Sequence, residues 1–202
     1  MKVRGIAVLC LLATIAGVSV PAWAQNEKVD GMANQQQEME AMMKAMAPGE
    51  AHKQLARMAG DWTFINKMWM APDAPPAESN GTMHAEMILG GRYVQSVWKG
   101  NLMGQPFEGR GTDGYDNLSK QNVSSWVDNM GTGILYMTGT CDAAGKVCTS
   151  KGDMIDPMTM KKGSMKSVTT WADNDNFKFE LFGRDGNGVE MKVMEMTLKR
   201  KS

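Results

Sequence analysis

From Asp61 to the C-terminus, aromatic and β-branched residues alternate with polar ones in runs of about eight to twelve, the period-two signature of half-buried strands. Ten strands are predicted, at about 61–70, 79–89, 92–102, 106–115, 121–128, 133–141, 147–154, 164–172, 176–183 and 188–200. Gly90-Gly91, Met103-Gly104-Gln105, Asp116-Asn117, Asp173-Asn174-Asp175 and Asp185-Gly186-Asn187 supply turn chemistry between them. Links this short join sequential strands into an antiparallel up-and-down meander, and closing it into a barrel removes both unpaired edges. Trp62, Phe64, Met68 and Met70 share one predicted face of the first strand, and Phe177, Phe179 and Leu181 one face of the ninth. In the last strand Val189, Met191 and Val193 give way to Met194, Met196 and Leu198, a change of phase that predicts a bulge.

The pattern before Gly60 is different. Met39, Met42, Met43 and Met46 fall at helical spacing after Asn34 and Gln37, a capping-box pair, which predicts a helix over 35–46. Pro48 suits the first turn of a second helix over 49–58, ended by Gly60, while residues 25–33 are expected to be flexible. Lys2 and Arg4, the apolar run Ile6–Val20 and Ala22-Trp23-Ala24 read as a secretory signal peptide over 1–24, cleaved after Ala24. The expected organisation is a signal over 1–24, a flexible and helical segment over 25–59, and a barrel over 60–202, in a periplasmic or secreted protein with no membrane span once the signal is removed.

Composition narrows the chemistry. Basic and acidic residues balance at 22 each, with no basic stripe, which argues against nucleic acid as partner. Cys141 and Cys148 flank a turn-like segment and are expected to form a disulfide across a hairpin in an oxidising compartment. The match to GxGxxG at Gly109–Gly114 precedes a turn and not a helix, so no pyrophosphate site is expected, and the glycines are assigned to strand bending.

Gly60-Asp61-Trp62, with Arg200 late in the chain, resembles the calycin signature, in which a Trp packs at the closed barrel end under an Arg. Met87–Tyr93, Gly104–Gly109, Gly114–Asn117 and Trp126–Gly133 resemble the bacterial domain-of-unknown-function family numbered 1579, over about residues 48–199. The resemblance implies a calycin-like barrel for small apolar ligands, as in lipid-binding proteins and haem-binding nitrobindins.

The expected function is therefore binding of a small hydrophobic or amphipathic molecule without catalysis. Arg92, Tyr115, Glu108 and His84 are the candidate polar contacts and Trp126 the aromatic wall, with Trp62 and Arg200 structural. No cofactor is predicted. Haem stands as an alternative through His84, with His52 expected to be solvated, and copper through Met68, Met70, Met158 or Met160 among the 21 methionines. Two further alternatives are an enzyme using Glu86 and Glu108, and an interaction protein with a solid barrel and a methionine-striped helix.

Overall fold

The computed structural model describes residues 22–71, 74–102, 104–155, 160–184 and 188–202. Ten strands follow in chain order: β1 (Gly60–Met68), β2 (Ala77–Ile88), β3 (Tyr93–Leu102), β4 (Gln105–Asp116), β5 (Gln121–Asp128), β6 (Leu135–Cys141), β7 (Val147–Ile155), β8 (Lys162–Trp171), β9 (Asn176–Arg184) and β10 (Glu190–Arg200). Each pairs antiparallel with its sequence neighbour, and β1 pairs with β10, so the sheet is a closed barrel. Val193 drops out of the β9–β10 register between Lys192 and Met194. That bulge turns Met194, Met196 and Leu198 inward, as the phase change in the sequence requires.

The barrel interior is filled on one side. Trp62, Phe64, Met83, Ala85, Val94, Trp171, Phe177 and Leu198 form a buried cluster carried by β1, β2, β3, β8, β9 and β10. Trp62, Trp171 and Phe177 meet at centroid distances of 4.5–6.0 Å. Gly81 and Gly100 face each other across β2 and β3, and a Cβ on Gly81 would overlap the Phe64 ring or the Lys99 carbonyl. Burial at this density is worth roughly 1.5–3 kcal/mol per large side chain and is the main force closing the sheet.

The helical prelude is split. α1 (Ala22–Ala45) lies, up to Lys44, in a first unit, and the second unit, Ala45–Ser202, contains α2 (Glu50–Leu55), the 3-10 turn Ala56–Met58 and the barrel. Residues 25–33, expected to be flexible, are helical, and α1 begins well before the predicted 35. Strong helix formers (Ala, Gln, Glu, Lys and Met) outweigh Gly31 over its length. The signal-peptide reading of residues 1–21 lies outside the described residues, and the expected cleavage point falls in the first turn of α1. No described helix is long and apolar enough to cross a membrane. Met70, expected on the buried face of β1, lies beyond the strand end and is exposed.

α2 and the 3-10 turn cap one barrel end through a small set of bonds. The Arg200 guanidinium lies 4.1 Å from the Trp62 ring centroid and donates to the carbonyls of Ala59 and Arg57 at 2.7 Å. It also meets the Asp175 carboxylate at 2.9 Å. Trp62 Nε1 donates to the Met58 carbonyl at 2.9 Å, so the Trp–Arg pair ties the turn to both termini of the sheet. His52, expected in solvent, is buried: its Nδ1 accepts from the Gly49 amide at 3.0 Å and its ring meets Tyr115 edge-on at 5.9 Å.

Candidate ligand cavity

The opposite side of the barrel is hollow, and the sequence of its inward positions explains why. Along one ring, Asn122, Gly139, Ser150 and Ser167 are consecutive register partners on β5, β6, β7 and β8. Along the next, Asp113, Ser124, Met137 and Gly152 follow one another from β4 to β7. Ser124, Ser150 and Ser167 at these places leave space that leucines or phenylalanines would occupy. The resulting cavity has a volume of about 460 Å³, within the usual range of small-molecule sites.

Its walls are mixed. Trp98, Trp126, Phe179, Met137, Met194 and Met196 supply apolar surface. Ser96, Tyr115, Ser150, Ser167 and Thr169 add hydroxyls, and the Cys141–Cys148 disulfide forms part of the wall. The disulfide joins directly paired positions of β6 and β7, as expected from the hairpin. Leu55, Arg57 and Met58 close the cavity from the capped end, and exposed Gln54, Lys120 and Asp142 stand on its rim. The Arg57 guanidinium lies 4.1 Å from the Trp171 ring centroid and donates to the Gly145 carbonyl. Burial lowers its pKa, with the charge of Asp142 acting in the other direction.

Trp126 is held by its own strand. Its Nε1 donates to Asp128 Oδ2 at 2.8 Å, its ring meets Trp98 edge-on at 5.9 Å, and Phe107 lies nearly parallel at 6.4 Å. Gly109 is where the ring passes: a Cβ there would overlap it. The β4 glycines assigned to strand bending thus have a further, identifiable function, which is to admit the indole.

Trp98, Trp126, Met194 and Met196 also border a second, smaller hollow of about 180 Å³ toward the other barrel end. Asn66 lines it, donating through Nδ2 to Ser79 Oγ at 3.2 Å, while its buried Oδ1 finds no donor among the described residues.

The expected site residues divide between the two faces of the sheet. Tyr115 and Trp126 line the cavity, whereas Arg92, Glu108 and His84 do not. Arg92 is exposed in the turn after β2 and donates to the Leu89 carbonyl at 3.3 Å. Glu108 pairs with Arg110 at 3.0 Å on the outer surface, and not with Arg92. The reason is parity. Gly109, Gly111, Asp113 and Tyr115 point inward on β4, so the even-numbered Glu108 must point outward. The same rule sends His84 and Glu86 outward between buried Met83 and Ala85, where His84 Nδ1 meets Asp61 at 2.9 Å. Neither imidazole reaches the cavity, so its residues do not fit a haem with a histidine ligand. Of the methionines considered for copper, Met68 borders the smaller hollow, Met70 and Met160 are exposed, and Met158 lies outside the described residues. Glu86 and Glu108, on the outer surface, cannot act as paired cavity acids.

Asp113 is the residue that sequence reasoning missed. It lines the cavity without a hydrogen bond or ion pair among the described residues, and burial pushes its carboxyl up to about 6. Its signal was present in the β4 sequence, two residues before the inward Tyr115 and two after an inward glycine.

These features define a calycin-like closed barrel with a hollow, partly polar interior. The chain belongs to the family described as a protein of unknown function, DUF1579, whose model matches residues 47–200. Among solved structures it is similar to Rv2717c from M. tuberculosis, at 15% identity and TM-score 0.58, covering 77% of this chain and 100% of that one. It is also similar to the S-type phycobiliprotein lyase CPES from Guillardia theta, at 11% identity and TM-score 0.52, covering 75% of this chain and 93% of that one. At such identities the likeness is one of fold. No curated protein matches the chain.

Proposed function

We propose that this chain is an exported barrel that holds one small apolar or amphipathic molecule in the cavity between β4 and β10, in the periplasm or outside the cell. The observation that carries this reading is a 460 Å³ hollow inside the barrel, lined by indoles, thioethers and hydroxyls and adjoining the buried cluster around Trp62. Rigid strands preform such a site, so a ligand binds without ordering a loop first. Export is supported by the N-terminal charge, apolar run and Ala22-Trp23-Ala24 pattern, and by a disulfide suited to an oxidising compartment.

Native mass spectrometry of the protein purified from its own host tests both halves. The expected result is a mature chain beginning at Gln25 with a bound molecule of a few hundred daltons. A mass equal to the bare polypeptide would favour an interaction protein, and an uncleaved N-terminus would overturn export.

A further inference from the structure

The reading above leaves the ligand's charge open, and Asp113 addresses it. A carboxylate in a largely apolar cavity is unfavourable unless something compensates it. Nothing among the described residues does so. Arg57, which reaches the cavity from the 3-10 turn, is committed to the Gly145 carbonyl and the Trp171 face. Lys120 stands on the exposed rim, and neither forms an ion pair with Asp113. The strand neighbours of Asp113 are Val94 on β3 and Ser124 on β5, both uncharged.

The surroundings favour a positive group for a second reason. Gly111 lies between the acid and the Trp126 ring: a Cβ built there would lie 3.8 Å from Asp113 Oδ2, 3.5 Å from Trp126 Cε3 and 2.7 Å from Ser96 Oγ, so the carboxylate and the indole lie near one another. Ser96 Oγ stands beside the same point and accepts from Trp98 Nε1 at 2.9 Å. The Nε1 groups of both indoles are thus engaged in hydrogen bonds within the chain. A carboxylate near an indole ring is an arrangement that can hold an ammonium by charge and by cation–π attraction together.

We propose that the cavity selects a cation: an ammonium-bearing molecule with a flat aromatic or short alkyl body, its charge at Asp113 and its body against Trp126 and Trp98. This rests on the small-molecule reading and adds the ligand's sign of charge. It also accounts for an acid that the cavity would otherwise be better without.

Three probes sharing one indole body separate the contributions: tryptamine, tryptophol and indole-3-acetate, titrated calorimetrically at pH 7.5 into the full chain. Tryptamine is expected to bind at least about ten-fold more tightly than tryptophol, and indole-3-acetate more weakly than either. Asp113→Asn should remove most of tryptamine's advantage over tryptophol. Ser124→Lys places a resident cation beside Asp113 and should abolish tryptamine's advantage while the acid remains. Tryptophol binding as tightly as tryptamine to the wild-type chain, or tryptamine affinity unchanged in both variants, would overturn the cation inference and leave the binding cavity standing. Silence from all three probes would overturn both.

Discussion

The two halves of the barrel interior use one backbone scheme for opposite ends. On β1, β2 and the adjoining parts of β3 and β10, Trp62, Met83, Ala85, Val94 and Leu198 are buried together, and the space is filled. From β4 to β8, Gly111, Ser124, Ser150 and Ser167 border the hollow instead. Strand pairing is antiparallel and continuous through both. Stability and binding capacity are therefore distributed by side-chain volume alone: the filled wall pulls the barrel shut, and the small residues opposite give up burial energy to leave a pocket.

Substitutions can break this contrast in graded steps. Trp62→Ala removes the centre of the filled half and the ring beneath Arg200, and should lower stability by about 4 kcal/mol in chemical denaturation. Overfilling separates the halves next. Ala85→Leu, in the packed wall where Ala85 is 2% exposed, should destabilise by about 2–3 kcal/mol. Ser150→Leu, in the hollow wall, should change stability by less than about 1 kcal/mol yet weaken probe binding by occupying the cavity. Equal effects from the two leucines would erase the distinction.

Asp113 should behave in the opposite sense. Its folded pKa is raised to about 6 from 3.8, so the unfolded chain ionises first and the folded state loses stability as pH climbs between those values. Asp113→Asn should accordingly raise stability at pH 7.5 by on the order of 2 kcal/mol and have no effect below about pH 3.5. Thermal unfolding at the two pH values measures this, and a variant less stable than wild type at pH 7.5 would refute the account of an uncompensated charge. The smallest effect is expected outside the barrel: His84→Ala, which removes an exposed pair with Asp61, should shift stability by less than about 0.5 kcal/mol and leave probe affinity unchanged.

The same contrast explains what could be read from the chain. Alternation located the ten strands to within a few residues, and the lost phase after Val193 announced the bulge, because both follow from local backbone periodicity. Trp62 and Arg200 were legible through a compact motif, and their stacking places them together at the capped end. The cavity was harder to see because it is built from small side chains, and glycine or serine in a strand announces neither interior nor exterior. Chemical character alone misassigned Glu108 and Arg92. Counting inward positions from Tyr115 excludes Glu108 and selects Asp113, so the error was one of parity and could have been avoided. His52 was different, since its burial depends on Tyr115 and the Gly49 amide, a tertiary arrangement with no sequence period.

The most direct measurement is a crystal structure of the barrel grown with tryptophol, which probes the hollow irrespective of the charge inference. The account predicts an indole in the space bounded by Trp126, Trp98 and Met137, with the strands unmoved. Side chains folded into that space, with no room for a ligand, would contradict it.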